Sequence, residues 1–207
     1  MALILTVLFV FLILLGSEWW WRKRIMHSEF SRKFVHITVG SFVAFWPFFL
    51  SWNEIRLLSL SFLVVIGLSK YFHVFRAIHS VQRPTFGELY FAAAVGLLTF
   101  VTQNEWIYMA ALLQMSLADG FAAVMGVRYG KQSYLMFSHR KTLVGSLTFF
   151  VTSLAILVGY SHFAGAHLSL LFVAGAAAAA AVIENFAVAG LDNLLLPLAM
   201  AWLLMQA

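Results

Sequence analysis

Long apolar windows broken by short polar connections run along almost the whole chain. They cover residues 2–21, 34–50, 55–70, 86–102, 106–125, 143–163, 168–189 and 194–204. A membrane-crossing helix needs about 20 mostly apolar residues. The pattern therefore predicts an all-α fold, a polytopic transmembrane helix bundle of seven to eight spans, the last window being short. The first window has no basic segment ahead of it, and its basic residues follow the apolar run. It reads as a retained first span rather than a cleaved signal. Between the third and fourth windows, Tyr71, Val74, Ile78 and Val81 recur at helical spacing. That spacing predicts a short amphipathic helix on the cytoplasmic face, ended by Pro84. The alanine run at 176–181 thins the seventh window, which predicts a span packed inside the bundle.

Composition strengthens this picture. The 207 residues are 63% hydrophobic and 10% charged, too few polar groups to cover a water-soluble globule. One integral membrane domain, 1–207, is expected, with the first span and a basic loop in 1–30. The absence of cysteine excludes disulfides and thiolate chemistry. Of the 13 Lys and Arg residues, only Arg56 falls in an alternate connection. Arg22, Lys23, Arg24, Arg32, Lys33, Lys70, Arg76, Arg83, Arg128, Lys131, Arg140 and Lys141 all fall on one side. By the positive-inside rule that side is cytoplasmic and the N-terminus lies outside. The basic excess reads as topology and as contact with phosphates or anionic lipid; no nucleic-acid partner is expected.

Ionisable groups at membrane depth are costly and mark function or pairing. Glu88, Asp119, Glu184 and Asp192 each fall within a window or near its cytoplasmic end, level with the basic loops. Acids that hold a divalent metal beside bases that hold phosphates form the arrangement a metal–nucleotide site needs. Four clusters carry it, each with a plainer reading. Arg32, Lys33 and His36 form a cationic helix edge, or two topology charges and an interior histidine. Asp119 shares a stripe with Ala122, Ala123, Gly126 and Gly130, leading to Arg128 and Lys131. The stripe is an open approach for a phosphate, or a groove for helix packing. His139, Arg140, Lys141, Thr142, Gly145 and Ser146 close the longest polar loop, where the cations alternatively set topology. Glu184-Asn185 precedes Gly190, Asp192, Asn193 and Pro197, and Asp192 could simply cap the last helix.

In this order, Arg32-Lys33-x-x-His36, Gly87-Glu88, Asp119 to Gly130-Lys131, Lys141-Thr142-x-x-Gly145-Ser146, Glu184 and Asp192-Asn193 resemble the CTP-dependent polyprenol kinase family. That family includes dolichol, phytol and farnesol kinases and the yeast-type diacylglycerol kinase, and is distantly similar to phosphatidate cytidylyltransferases. The resemblance spans residues 31–197, the kinase-like region. It implies transfer of the terminal phosphoryl group of CTP to a membrane lipid alcohol, with Mg2+, at the cytoplasmic face. It implies Asp119, Asp192 and Glu184 as metal ligands, and Glu88, Asp119, Glu184 and His36 as catalytic candidates. Arg32, Lys33, Gly126, Arg128, Gly130, Lys131, Lys141, Thr142, Gly145, Ser146 and Asn193 become the nucleotide- and phosphate-binding candidates. Residues alone leave the proton acceptor open among Glu88, Glu184 and His36. One departure is Val144, where the family often has an acid. Cytidylyl transfer to phosphatidate, a small transporter and a catalytically inactive membrane subunit are the competing readings.

Overall fold

A computed structural model describes residues 1–23, 28–72, 86–136 and 139–207. Among the described residues, nine α-helices and one hairpin follow in order: α1 Ala2–Arg22, α2 Ser28–Ala44, α3 Trp52–Phe72, α4 Gly87–Val101, α5 Glu105–Leu113, α6 Asp119–Tyr129, β1 Ser133–Met136, β2 His139–Thr142, α7 Leu143–Phe163, α8 Leu170–Phe186 and α9 Asp192–Met205. Among the described residues, three segments are long and apolar enough to cross a membrane: Trp52–Ser69, Glu105–Tyr129 and Leu143–Phe163. Shorter apolar helices lie at Ala2–Ser17, Gly87–Val101, Leu170–Phe186 and Asp192–Met205. The amphipathic helix expected over 71–81 falls mostly outside the described residues.

The packing is that of a protein with apolar surroundings. Large side chains such as Leu60, Leu68, Phe100, Leu147, Val151 and Leu171 point outward, while Gln114, Ser116, Ser153 and Thr99 are buried. Apolar contact with lipid removes the usual reason to hide leucine and leaves close packing and internal polar contacts to hold helices together. α5 and α6 are continuous through a wider π turn at Gln114–Ala118. This long helix is 61% buried, against 22% and 28% for the other two long segments, and forms the axis of the fold. Asn104 starts it, its side chain accepting from the Trp106 and Ile107 amides at 3.0 and 3.1 Å.

Small residues set the helix spacings. Ser59 on α3 donates to the Ala92 carbonyl of α4 at 2.7 Å. A Cβ at Gly96 would stand 2.4 Å from the Ser59 oxygen. α8 turns Ala176, Ala177 and Ala180 into the protein but leaves Leu171 and Val182 exposed. It is therefore a peripheral helix with one small-residue face, not the enclosed span expected from its alanines. At the far end, Arg56 donates to the Thr99 side chain at 2.9 Å and to its carbonyl at 3.1 Å. This cation satisfies the C-terminal end of α4.

The hairpin departs from the expected all-α fold. Ser133 pairs with Thr142 and Tyr134 with Lys141 in antiparallel register. The segment reads as a polar loop in sequence because each strand is only four residues long. Thr142 then caps α7, accepting from the Gly145 amide at 3.1 Å.

The glycines of the expected nucleotide approach have a different use. A Cβ on Gly126 would stand 2.8 Å from the Thr142 hydroxyl, and one on Gly145 3.1 Å from the Ala122 carbonyl. A Cβ on Gly130 would meet Thr142 at 2.5 Å. The Gly130 amide is bonded to the Gly126 carbonyl. Gly126, Gly130 and Gly145 thus let α6, α7 and the hairpin approach each other. Gly126→Leu is expected to force α6 from α7 and destabilise the protein by about 1–3 kcal/mol. A lowered thermal midpoint in detergent checks this, and an unchanged midpoint contradicts it.

Candidate active site

The beginnings of α2, α4 and α9, the hairpin and the end of α8 gather at one end of the fold. The Lys33 ammonium lies 2.6 Å from the Asp119 carboxylate, which lies 3.4 Å from His36 Nε2. His36 Nε2 is also 3.0 Å from the Met115 carbonyl. A carbonyl only accepts, so Nε2 carries the proton and donates. The π turn supports this contact: widening the backbone bonds exposes carbonyls to lateral partners, and such turns recur at functional sites. Asp119 begins the next helical segment, directly after that turn.

A second ion pair joins Lys141 on β2 to the Glu184 carboxylate of α8. The same ammonium donates to the Glu184 carbonyl at 2.6 Å. Tyr134, opposite Lys141 in the hairpin, donates to Asn185 Oδ1 at 2.5 Å and bonds the Ser146 hydroxyl at 2.5 Å. The hairpin is thereby fastened to α7 and α8 on the face that carries Lys141.

The turn between α8 and α9 brings in the third acid. Ala189 and Gly190 take the left-handed conformation, with φ of 54° and 86°. This tight reversal suits glycine at 190. Asp192 then lies within electrostatic reach of Asp119, Lys33 and Lys141, and Glu184 within reach of Asp119 and Asp192. Leu191, not Asp192, is the N-cap position of α9, so helix capping does not account for this acid.

A cavity of about 140 Å³ adjoins the charged cluster. Val10, Leu14, Val39, Phe62 and Phe91 are among its apolar walls. Its polar members, His36, Ser69, Glu88 and Asn193, come from four helices near the site end. His36 therefore faces both compartments, lining the cavity and touching Asp119.

Sequence candidates divide accordingly. Lys33, His36, Asp119, Lys141, Glu184 and Asp192 are brought together. Glu88 and Asn193 line the cavity beside them. Thr142 and Ser146 are engaged in the cap and the Tyr134 contact. Arg128 and Lys131 are exposed at the end of α6, and Arg128 lies 5.5 Å from the Tyr129 ring. The Arg32 and His139 side chains fall outside the described residues. Tyr134 escaped the sequence reading; an aromatic lodged between Lys131 and Lys141 in a polar stretch was its one signal.

Among the described residues, no three acids or histidines form a ready-made metal cage. Magnesium does not require one: one or two carboxylates, water and substrate phosphates suffice. The oxygen donors of Asp119 and Asp192 fit that chemistry.

Comparison with known proteins adds the decisive finding. The chain is 33% identical to the phytol kinase of Synechocystis sp. over 197 residues, covering 91% of this chain and 84% of that protein. The chain belongs to the phytol kinase family. It is also 28% identical to phytol kinase 1, chloroplastic, of Arabidopsis thaliana over 211 residues, covering 90% of this chain and 69% of that one. A probable phytol kinase 1 of rice is 31% identical over 202 residues, or 86% of this chain and 64% of the rice protein. No family model matches the chain, and no solved structure is similar to it. The kinship identifies a kinase, a phosphotransferase with an alcohol acceptor.

Proposed function

We propose that this member of the phytol kinase family transfers the terminal phosphoryl group of CTP to an isoprenoid alcohol of the phytol type. The observation that carries the reading is the junction at His36. On one side of it lies an apolar cavity; on the other lie paired acids and lysines. Lipid and nucleotide can meet there without either entering the other's solvent. The names of the relatives favour this over cytidylyl transfer or transport.

Phosphoryl transfer depends on in-line positioning and charge neutralisation. Lys33 and Lys141 would hold the phosphates, exchanging their present carboxylate partners for substrate oxygens, with Arg32, Arg128 and Lys131 as further phosphate-binding candidates. Asp119 and Asp192 would hold Mg2+, with Glu184 as a further ligand; bound there, the ion supplies neutralising charge to the phosphates. The alcohol oxygen forms the new bond to the terminal phosphorus, the bond to the bridging oxygen breaks, and CDP leaves. Glu88, in the cavity, takes the hydroxyl proton. Val144 leaves no acid at its position, so Glu184 and Asp192 carry the acidic side of the cluster here.

Within the membrane we propose seven to eight spans in one domain, 1–207. The site end is cytoplasmic and the N-terminus outside, as twelve of the 13 Lys and Arg residues favour. The functional test is purified protein in nanodiscs with magnesium, CTP or ATP, and a panel of phytol, farnesol, a polyprenol and diacylglycerol. Phosphorylation of phytol or farnesol with CTP preferred supports the reading. Phosphorylation of diacylglycerol alone, or of no alcohol by folded protein that binds CTP, overturns it.

A further inference from the structure

Asn193 is 7% exposed and lines the cavity near Glu88 and His36. Its amide Nδ2 lies 3.3 Å from the Gly87 carbonyl. Since that carbonyl only accepts, the contact fixes the orientation of the amide: nitrogen towards Gly87, oxygen away from it. The Oδ1 atom is buried and has no hydrogen-bond partner among the described residues. A buried amide oxygen without a partner is costly; such a cost is offset when a ligand supplies the missing donor. Position on α9 sharpens the point. Asp192 senses Asp119, Lys33 and Lys141, whereas the next residue, about 100° round the helix, faces the apolar cavity. Pro197, four residues on, has no amide hydrogen to offer the Asn193 carbonyl, so α9 is loosened at this turn.

We propose that Asn193 binds the lipid acceptor: before reaction its Oδ1 accepts the hydrogen of the alcohol's single hydroxyl and holds the oxygen beside Glu88, to which that hydrogen turns and passes as the bond to phosphorus forms. The inference rests on the kinase reading and deepens it by naming the group that orients the acceptor. It also moves Asn193 from the nucleotide to the lipid. The walls beyond the polar end are Val10, Leu14, Val39, Phe62 and Phe91. They offer nothing to ester carbonyls, so the cavity suits a single-headed hydrocarbon alcohol better than a glyceride.

The test uses Asn193→Ala and, to guard against misfolding, Asn193→Ser, which keeps a small polar side chain at this position but removes the amide oxygen from the cavity. Phytol binding without CTP is read from thermal stabilisation in nanodiscs, and KM values for phytol and CTP are measured in turnover. Both variants are expected to bind phytol about 5- to 10-fold more weakly, the loss of one neutral hydrogen bond. KM for phytol should rise by the same factor and KM for CTP stay within about twofold. A rise in KM for CTP with phytol unchanged, or no change in either, overturns the assignment. Weakened phytol binding in the variants of a protein whose wild type never phosphorylates the alcohol would uphold Asn193 and sink the kinase reading. Turnover by the wild type with unaltered variants would do the reverse.

Discussion

Asp119→Asn is expected to lower kcat by about 10³-fold and to leave the protein folded. The carboxylate sits 2.6 Å from Lys33 and 3.4 Å from His36, and within reach of Asp192 and Glu184. It is the residue through which both ion-paired halves of the site communicate. The amide keeps the shape and one oxygen for Lys33, so the local packing survives. What disappears is the negative charge that would share a magnesium ion with Asp192 and hold Lys33 ready for a phosphate. The measurement is kcat alongside the thermal midpoint. Activity within about tenfold of wild type in a folded variant would remove Asp119 from the chemistry.

Glu88→Gln is expected to lower kcat by about 10²- to 10⁴-fold, the usual worth of a general base, with KM for CTP little changed. Glu88 stands in the first turn of α4 and lines the cavity with His36 and Asn193. Glutamine fills the same volume and forms similar hydrogen bonds, but it cannot take a proton. With Nε2 donating to Met115, His36 has only Nδ1 to offer as a base. Glu184 is held by Lys141 and is not among the cavity's lining residues. If Glu88→Gln turns over normally while a His36 variant does not, the proton leaves by the histidine instead.

Much of the helical layout was legible from hydropathy, since apolar length alone marks elements such as Leu143–Phe163, whose ends coincide with α7. The chemical residues were legible as a set, because acids at membrane depth stand out against an apolar background. Their partners were not. Nothing in the spacing of Lys33 and Asp119 says that they touch, since the contact depends on how α2 packs against the π turn. The turn itself has no sequence signature. Strands as short as β1 and β2 are indistinguishable from a basic loop by pattern, which hid both the hairpin and Tyr134. The packing use of the glycines was hidden for a physical reason: a small residue admits a phosphate or a neighbouring helix equally well, and the position of Thr142 beside Gly126 and Gly130 appears only in the fold.

The most direct test of the central claim is the fate of two labels. Purified wild-type protein in nanodiscs is given phytol, magnesium and CTP labelled either at the terminal or at the innermost phosphate. Terminal label should pass into the lipid fraction as phytyl phosphate while innermost label stays in solution as CDP. Innermost label in the lipid fraction, or no lipid label from folded protein that binds both substrates, would contradict phosphoryl transfer from CTP to the alcohol.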